Sequence, residues 1–69
     1  MKITFQVCVH SAEGEFQFCV EPQRDAHMAR HDGLVLSDAF GANRVFVRTL
    51  HNGKIRANET YTDFLARAR

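Results

Sequence analysis

This 69-residue chain has little of most things that define a specialised class: no tryptophan, one proline, two cysteines and four glycines. Two cysteines are too few for the disulfide framework of a small secreted domain. The sparse glycine and proline exclude collagen-like and proline-rich disordered chains. No apolar run exceeds a few residues, so nothing is expected to span a membrane. The N-terminus has one lysine followed by alternating polarity, unlike a secretory signal, and the cytoplasm is the expected compartment. Neither charge sign dominates, with a formal net charge of +1. A glycine-rich phosphate loop and a serine-centred nucleophile elbow are also missing. The composition, 45% hydrophobic and 25% charged, fits one small globular domain spanning residues 1–69.

Two stretches alternate with the period of a strand. Residues 2–10 alternate around a strand at 3–9, with Ile3, Phe5, Val7 and Val9 on one side, opposite Lys2, Thr4, Gln6, Cys8 and His10. In residues 15–21, Phe16, Phe18 and Val20 lie opposite Glu15, Gln17, Cys19 and Glu21. Ser11-Ala12-Glu13-Gly14 joins them as a hairpin loop. Setting His10 across from Glu15 gathers all seven apolar side chains on one face. Pro22 is expected to stop the second strand.

A second hairpin is predicted from residues 44–50 and 54–58, because Asn52-Gly53 is a strong two-residue turn signal. Its faces would be Phe46, Leu50, Ile55 and Ala57 on one side, and Val45, Val47, Thr49 and Arg56 on the other. Between the hairpins, residues 23–32 predict a short helix or ordered loop ending at Gly33, with Leu34-Val35-Leu36 as an added strand. Thr60-Tyr61-Thr62-Asp63 resembles a capping box and starts a helix over residues 61–69, with Tyr61, Phe64, Leu65 and Ala68 on its apolar stripe. Asp63 can pair with Arg67 one turn on. The expected fold is α+β, a small antiparallel sheet of two β-hairpins with the C-terminal helix packed on one face.

Met1-Lys2-Ile3 opening a hairpin that closes in Val20-Glu21-Pro22, together with Leu50-His51-Asn52-Gly53-Lys54, resembles ubiquitin-like β-grasp domains. The resemblance covers about a third of the chain. The chain lacks that family's final strand and Gly-Gly tail, and the resemblance implies no activity.

Few residues suggest chemistry. With Cys19 opposite Gln6, Cys8 and Cys19 are diagonal neighbours about 7–8 Å apart. A disulfide needs Cβ atoms about 3.5–4.5 Å apart, so two reduced, partly buried cysteines are expected unless the register slips. Cysteines on the polar face also suggest that this face is covered, for instance by a second protomer. His27 and His31 are spaced to share a helix face, and Cys8, Cys19 and His10 could complete a metal site with them only if residues 23–32 cross the polar face of the hairpin. Their spacing matches no common zinc pattern, and surface histidines are the expectation. Cys8 and His10 are about 6.6 Å apart along a strand, too far for a firm thiolate–imidazole pair. His10 is expected to meet Glu15 instead. No cofactor and no enzymatic activity are expected.

The charge is uneven: residues 1–43 carry −3 and residues 44–69 carry +4. Arg44, Phe46, Arg48, Lys54 and Arg56, joined by Arg67 and Arg69, form the candidate binding set. Arginines interleaved with an aromatic ring suit nucleic acid, although such a ribbon is also ordinary edge protection. Strand alternation splits the set by sending Arg48 and Arg56 to opposite faces.

A core this small stabilises itself only marginally, which favours self-association as a homodimer or a tight partner. The leading expectation is a non-catalytic binding or inhibitor-type protein that works through protein–protein contact. Single domains of this size are frequent among phage and mobile-element inhibitors of host defence complexes. The alternative is a nucleic-acid-binding or regulatory module using residues 44–56.

Overall fold

The computed structural model describes residues 2–14 and 17–67, with the backbone alone at Gln17. The elements run β1 (Ile3–His10), β2 (Gln17–Cys19), α1 (Ala26–Phe40), a single 3-10 turn (Ala42–Arg44), β3 (Val45–His51), β4 (Lys54–Thr60) and α2 (Tyr61–Arg67). The strands form one four-stranded sheet in the order β2-β1-β3-β4, with every pairing antiparallel. The α+β expectation holds, with two hairpins and a C-terminal helix on one face. The last described element is the helix α2. No helix among the described residues is long and apolar enough to cross a membrane.

Both helices lie on the same side of the sheet. The core joins Val7 and Val9 of β1 to Val45 and Val47 of β3, Ala29 of α1, and Tyr61 and Phe64 of α2. Phe5 packs its ring on Phe64 with centroids 5.8 Å apart. The buried face of the second hairpin is therefore the Val45/Val47 face, and Phe46 and Leu50 point to the other side. Pairing decides this, because β1 sets Val7 opposite Val47 and Val9 opposite Val45. Cross-strand neighbours share a face, so the valines follow the β1 side chains beneath the helices.

The first hairpin is shifted by two residues from the expected pairing. Cys8 sits opposite Cys19 and Val9 opposite Phe18, so the apolar set keeps its face while its partners change. The Val20 amide donates to the Val7 carbonyl at 3.0 Å, which makes Cys8 and Cys19 a non-hydrogen-bonded pair. Backbones approach closest at such pairs, and here the Cα atoms are 4.0 Å apart. The two cysteines form a disulfide, correcting the expectation of reduced thiols. β2 stops at Cys19, short of the expected Glu21 and ahead of Pro22. The chain rejoins β1 at Gln23, whose amide and carbonyl exchange hydrogen bonds of 2.8 and 2.7 Å with Phe5. The expected partners Glu15 and Phe16 lie outside the described residues.

The largest departure is α1, which runs through Gly33 to Phe40 and ends at Gly41, whose φ is 98°. Residues 34–36 are helical, and no strand forms there. Asp25 caps the start, its carboxylate accepting from the His27 amide at 2.9 Å. Glycine inside a helix costs about 1 kcal/mol relative to alanine, and here packing offsets that cost. A Cβ on Gly33 would lie 2.2 Å from Cε1 of Tyr61, so only hydrogen fits beneath the ring. The Tyr61 hydroxyl then donates to the Arg30 carbonyl at 2.9 Å and ties α2 to α1.

The Asn52-Gly53 turn forms as expected, with φ of 53° and 83°. Leu50 pairs with Ile55, but Thr49 pairs with Ala57, leaving Arg56 as an extra residue in a bulge. The bulge turns Ala57 to the Thr49 side and sets Asn58 opposite Arg48. The Thr60 hydroxyl accepts from the Asp63 amide at 3.1 Å, as a helix cap should. Ala68 and Arg69 lie outside the described residues.

Candidate contact surfaces

With both helices on one side, the other face of the sheet is open. Its side chains form rows across the strands. One row runs Cys19, Cys8, Phe46, Thr60; the next runs Gln6, Arg48, Asn58; the third runs Thr4, Leu50, Ile55. His10 stands at the head of β1. Its ring lies 27° from parallel to Phe46, with centroids 6.2 Å apart. The Arg48 guanidinium sits 5.8 Å from the centre of the same ring. Its Nε donates to the Asn58 side-chain oxygen at 3.2 Å, which holds the guanidinium in place. Gln6 donates to the Val20 carbonyl at 3.0 Å. Cys8 is fully buried even on this side, walled in by its disulfide partner and Phe46. At the far end of the same face, a cleft of about 590 Å³ is lined by Lys2, Thr4, Glu21, Arg24, Leu50 and Asn52, among others.

The seven residues singled out from the sequence separate. Phe46 and Arg48 come together on the open face. Arg44 is occupied elsewhere: its Nε donates to the His10 carbonyl at 2.9 Å, and its guanidinium lies 5.5 Å from the Phe40 ring. Lys54 is exposed beside the turn, and Arg56 is exposed in the bulge. Arg67 forms a two-pronged ion pair with Glu59 in place of the expected Asp63 and lies over the Phe64 ring. The hydrogen bond to Glu59, reinforced by its charge, raises the Arg67 pKa above the usual guanidinium value. Arg69 lies outside the described residues.

The metal candidates do not meet. Cys8 and Cys19 are bonded to each other on the open face, while His27 and His31 lie on α1 beyond the opposite face. Among the described residues, no group of three or more histidine, cysteine or acidic side chains is placed to hold a metal ion. The expected His10–Glu15 pair involves a residue outside those described, and the His10 ring contacts Phe46 and the Ser11 carbonyl.

Sequence reasoning missed a second surface because it ended α1 at Gly33. The continuous helix turns Met28, Leu34 and Val35 outward, 46%, 55% and 53% exposed. His27 and His31 lie along the same stripe. Beside it, His27, His31 and Leu34 border a shallow cleft of about 380 Å³ closed by Arg30, Tyr61 and Leu65. A helix that packs only one side against a domain ordinarily shows solvent a polar outer face. Burial raises the Tyr61 pKa, with the charge of Arg30 pulling the other way.

Comparison with protein-family models, curated proteins and solved structures finds no match to this chain.

Proposed function

We propose that the protein is a non-catalytic binding module acting through contact with another protein, an inhibitor-type role of the kind mobile elements deploy against host defence complexes. The observation that carries this reading is the outer stripe of α1. Three large apolar side chains there are about half exposed on a helix whose inner side already fills the core. Contiguous apolar groups flanked by polar ones are typical of protein-binding surfaces. The neighbouring cleft gives a partner side chain somewhere to insert, as the energetic centres of interfaces require.

The test is co-purification from the native host with wild-type protein and with Leu34→Glu/Val35→Glu. The double variant replaces exposed groups and is expected to keep the wild-type circular dichroism spectrum. A stoichiometric protein held by the wild type and lost by the variant is the expected result. A wild-type mass equal to twice the chain, reverting to one chain in the variant, would make the occupant a second copy. Equal recovery by both proteins, or monomers with nothing bound, would overturn the reading.

The proposed compartment is the cytoplasm, and Cys8–Cys19 supplies a check. Cytosolic thiols keep such pairs reduced. Alkylation of protein quenched directly from cells reads the compartment: label on both cysteines would support a reducing cytoplasm, and an unlabelled pair, still bonded as in the structure, would overturn it.

A further inference from the structure

We propose that the open sheet face binds single-stranded nucleic acid, with His10, Phe46 and Arg48 stacking on bases and Lys2 and Arg24 receiving phosphates. This site is separate from the α1 stripe and does not depend on it.

The charge pattern selects an anionic partner. Among the described residues, β1, β2 and β3 contain no carboxylate, and the one carboxylate of β4, Glu59, turns to the helix side to meet Arg67. Asp32 and Asp38 belong to α1, and Asp25 caps it. The charged side chain in the strand rows of the open face is Arg48, and Lys2 and Arg24 line the cleft at its end. Glu21 also lines that cleft, an acidic group against this pattern, and Glu13 stands exposed in the loop that follows His10.

The shapes select bases. The His10 ring is stacked against Phe46, 27° from parallel with centroids 6.2 Å apart, and the Arg48 guanidinium lies over the Phe46 ring at 5.8 Å, so the three form one cluster of flat groups. Every base has a π-face, so planar groups standing on a cationic surface bind single strands with little regard to sequence. A guanidinium contributes both stacking and charge. In a duplex the same base faces are covered by their neighbours, so a duplex could meet the cations but not the rings. An acidic peptide would likewise leave the rings unoccupied. From His10 to Lys2 the strand covers ~26 Å, room for a few extended nucleotides. Thr4, Gln6, Asn58 and Thr60 line the path with groups able to hydrogen-bond to sugars and base edges. The Cys8–Cys19 bond fixes the strand pair beside Phe46, so the platform needs little ordering when a ligand arrives.

Fluorescence anisotropy with labelled twelve-nucleotide oligo-dT and oligo-U tests the proposal on the full chain with its disulfide intact. Binding is expected at low salt, weakening as salt rises. Phe46→Ala should lower affinity about 10-fold, the loss of one stacked base. Arg48→Lys keeps the charge but not the plane, and should also weaken binding while leaving the salt slope unchanged. Leu34→Glu on the far side should bind as wild type does. If Phe46→Ala melts early, Arg48→Lys, a change at a partly exposed side chain, still decides the question. No binding at low salt would overturn the proposal. So would competition by a duplex or by poly-glutamate equal to that of the single strand, or indifference to both platform substitutions.

Discussion

Alternate residues of β1 and β3 build two unlike surfaces from the same seven residue pairings. On the closed side, Val7, Val9, Val45 and Val47 are small, branched and shut off from water beneath two helices. On the open side, Cys8, Phe46 and Arg48 are held by each other and by cross-strand partners, with no covering layer. The closed side derives its stability from burial of apolar area, about 25 cal/mol for each Å². The open side relies on a covalent bond and weak ring contacts, with Cys8 buried and Phe46 and Arg48 left partly exposed. The contrast shows how a domain this small can divide its labour, giving one parity of residues to cohesion and leaving the other for contact.

Replacing the same residue type on the two sides would break this contrast most sharply. Phe64→Ala, beneath the helices, should cost about 3–5 kcal/mol and leave little folded protein in a urea titration. Phe46→Ala, on the open side, should cost on the order of 1 kcal/mol by the same measurement, because part of its ring is already solvated. Equal costs would mean that the open face belongs to the core.

The disulfide comes next. It closes a loop with a sequence separation of 11. Reduction, or Cys8→Ser with Cys19→Ser, should lower stability by about 3 kcal/mol, read as a shift of the denaturation midpoint between oxidised and reduced protein.

Gly33→Ala puts a methyl group into the Tyr61 ring and should cost about 1–3 kcal/mol despite alanine's better helix propensity. Combining it with Tyr61→Ala should cost less than the two single changes added together, because each removes the other's clash.

Tyr61→Phe loses one hydrogen bond and should cost about 1 kcal/mol at neutral pH. It also sharpens the alkaline behaviour. Burial raises the folded-state pKa of this phenol, so its contribution is complete below the unfolded value of about 10 and is lost as pH rises through the folded one. Wild type should therefore lose stability in that window more steeply than Tyr61→Phe in pH-dependent melts.

Arg67→Ala should have the smallest effect, under about 1 kcal/mol, because the Arg67 side chain of its pair with Glu59 is 58% exposed. High salt should erase most of that difference in a thermal melt.

Much of the fold could be read from local pattern. Strand alternation in residues 3–9, the Asn52-Gly53 turn and the Thr60 cap depend on neighbours in sequence, and each formed where it was expected. The long helix was hidden for a physical reason. Its inner stripe is Ala26, Ala29, Gly33, Leu36 and Phe40, spaced alternately by three and four, but a glycine in mid-stripe carries the signature of a helix end. Only Tyr61, 28 residues later, makes that glycine a packing residue. The two-residue shift of the first hairpin and the bulge at Arg56 were hidden because both satisfy the same alternation as the simpler pairings. The candidate site was partly legible. Composition singled out Phe46 and Arg48, but only the pairing of β1 with β3 brings His10 to them and Arg44 to the His10 carbonyl, while Arg67 is taken up by Glu59 of β4.

That pairing of β1 with β3 also governs how the molecule assembles. Each of its rungs joins positions at least 36 residues apart, whereas the pairing of β3 with β4 closes over a two-residue turn. Local hairpins zip in microseconds, but distant strands must first find one another against the entropy of the intervening chain. Refolding speed is therefore set by the encounter of two prefabricated ribbons. A tether placed between them would accelerate that encounter without adding a contact to the native state.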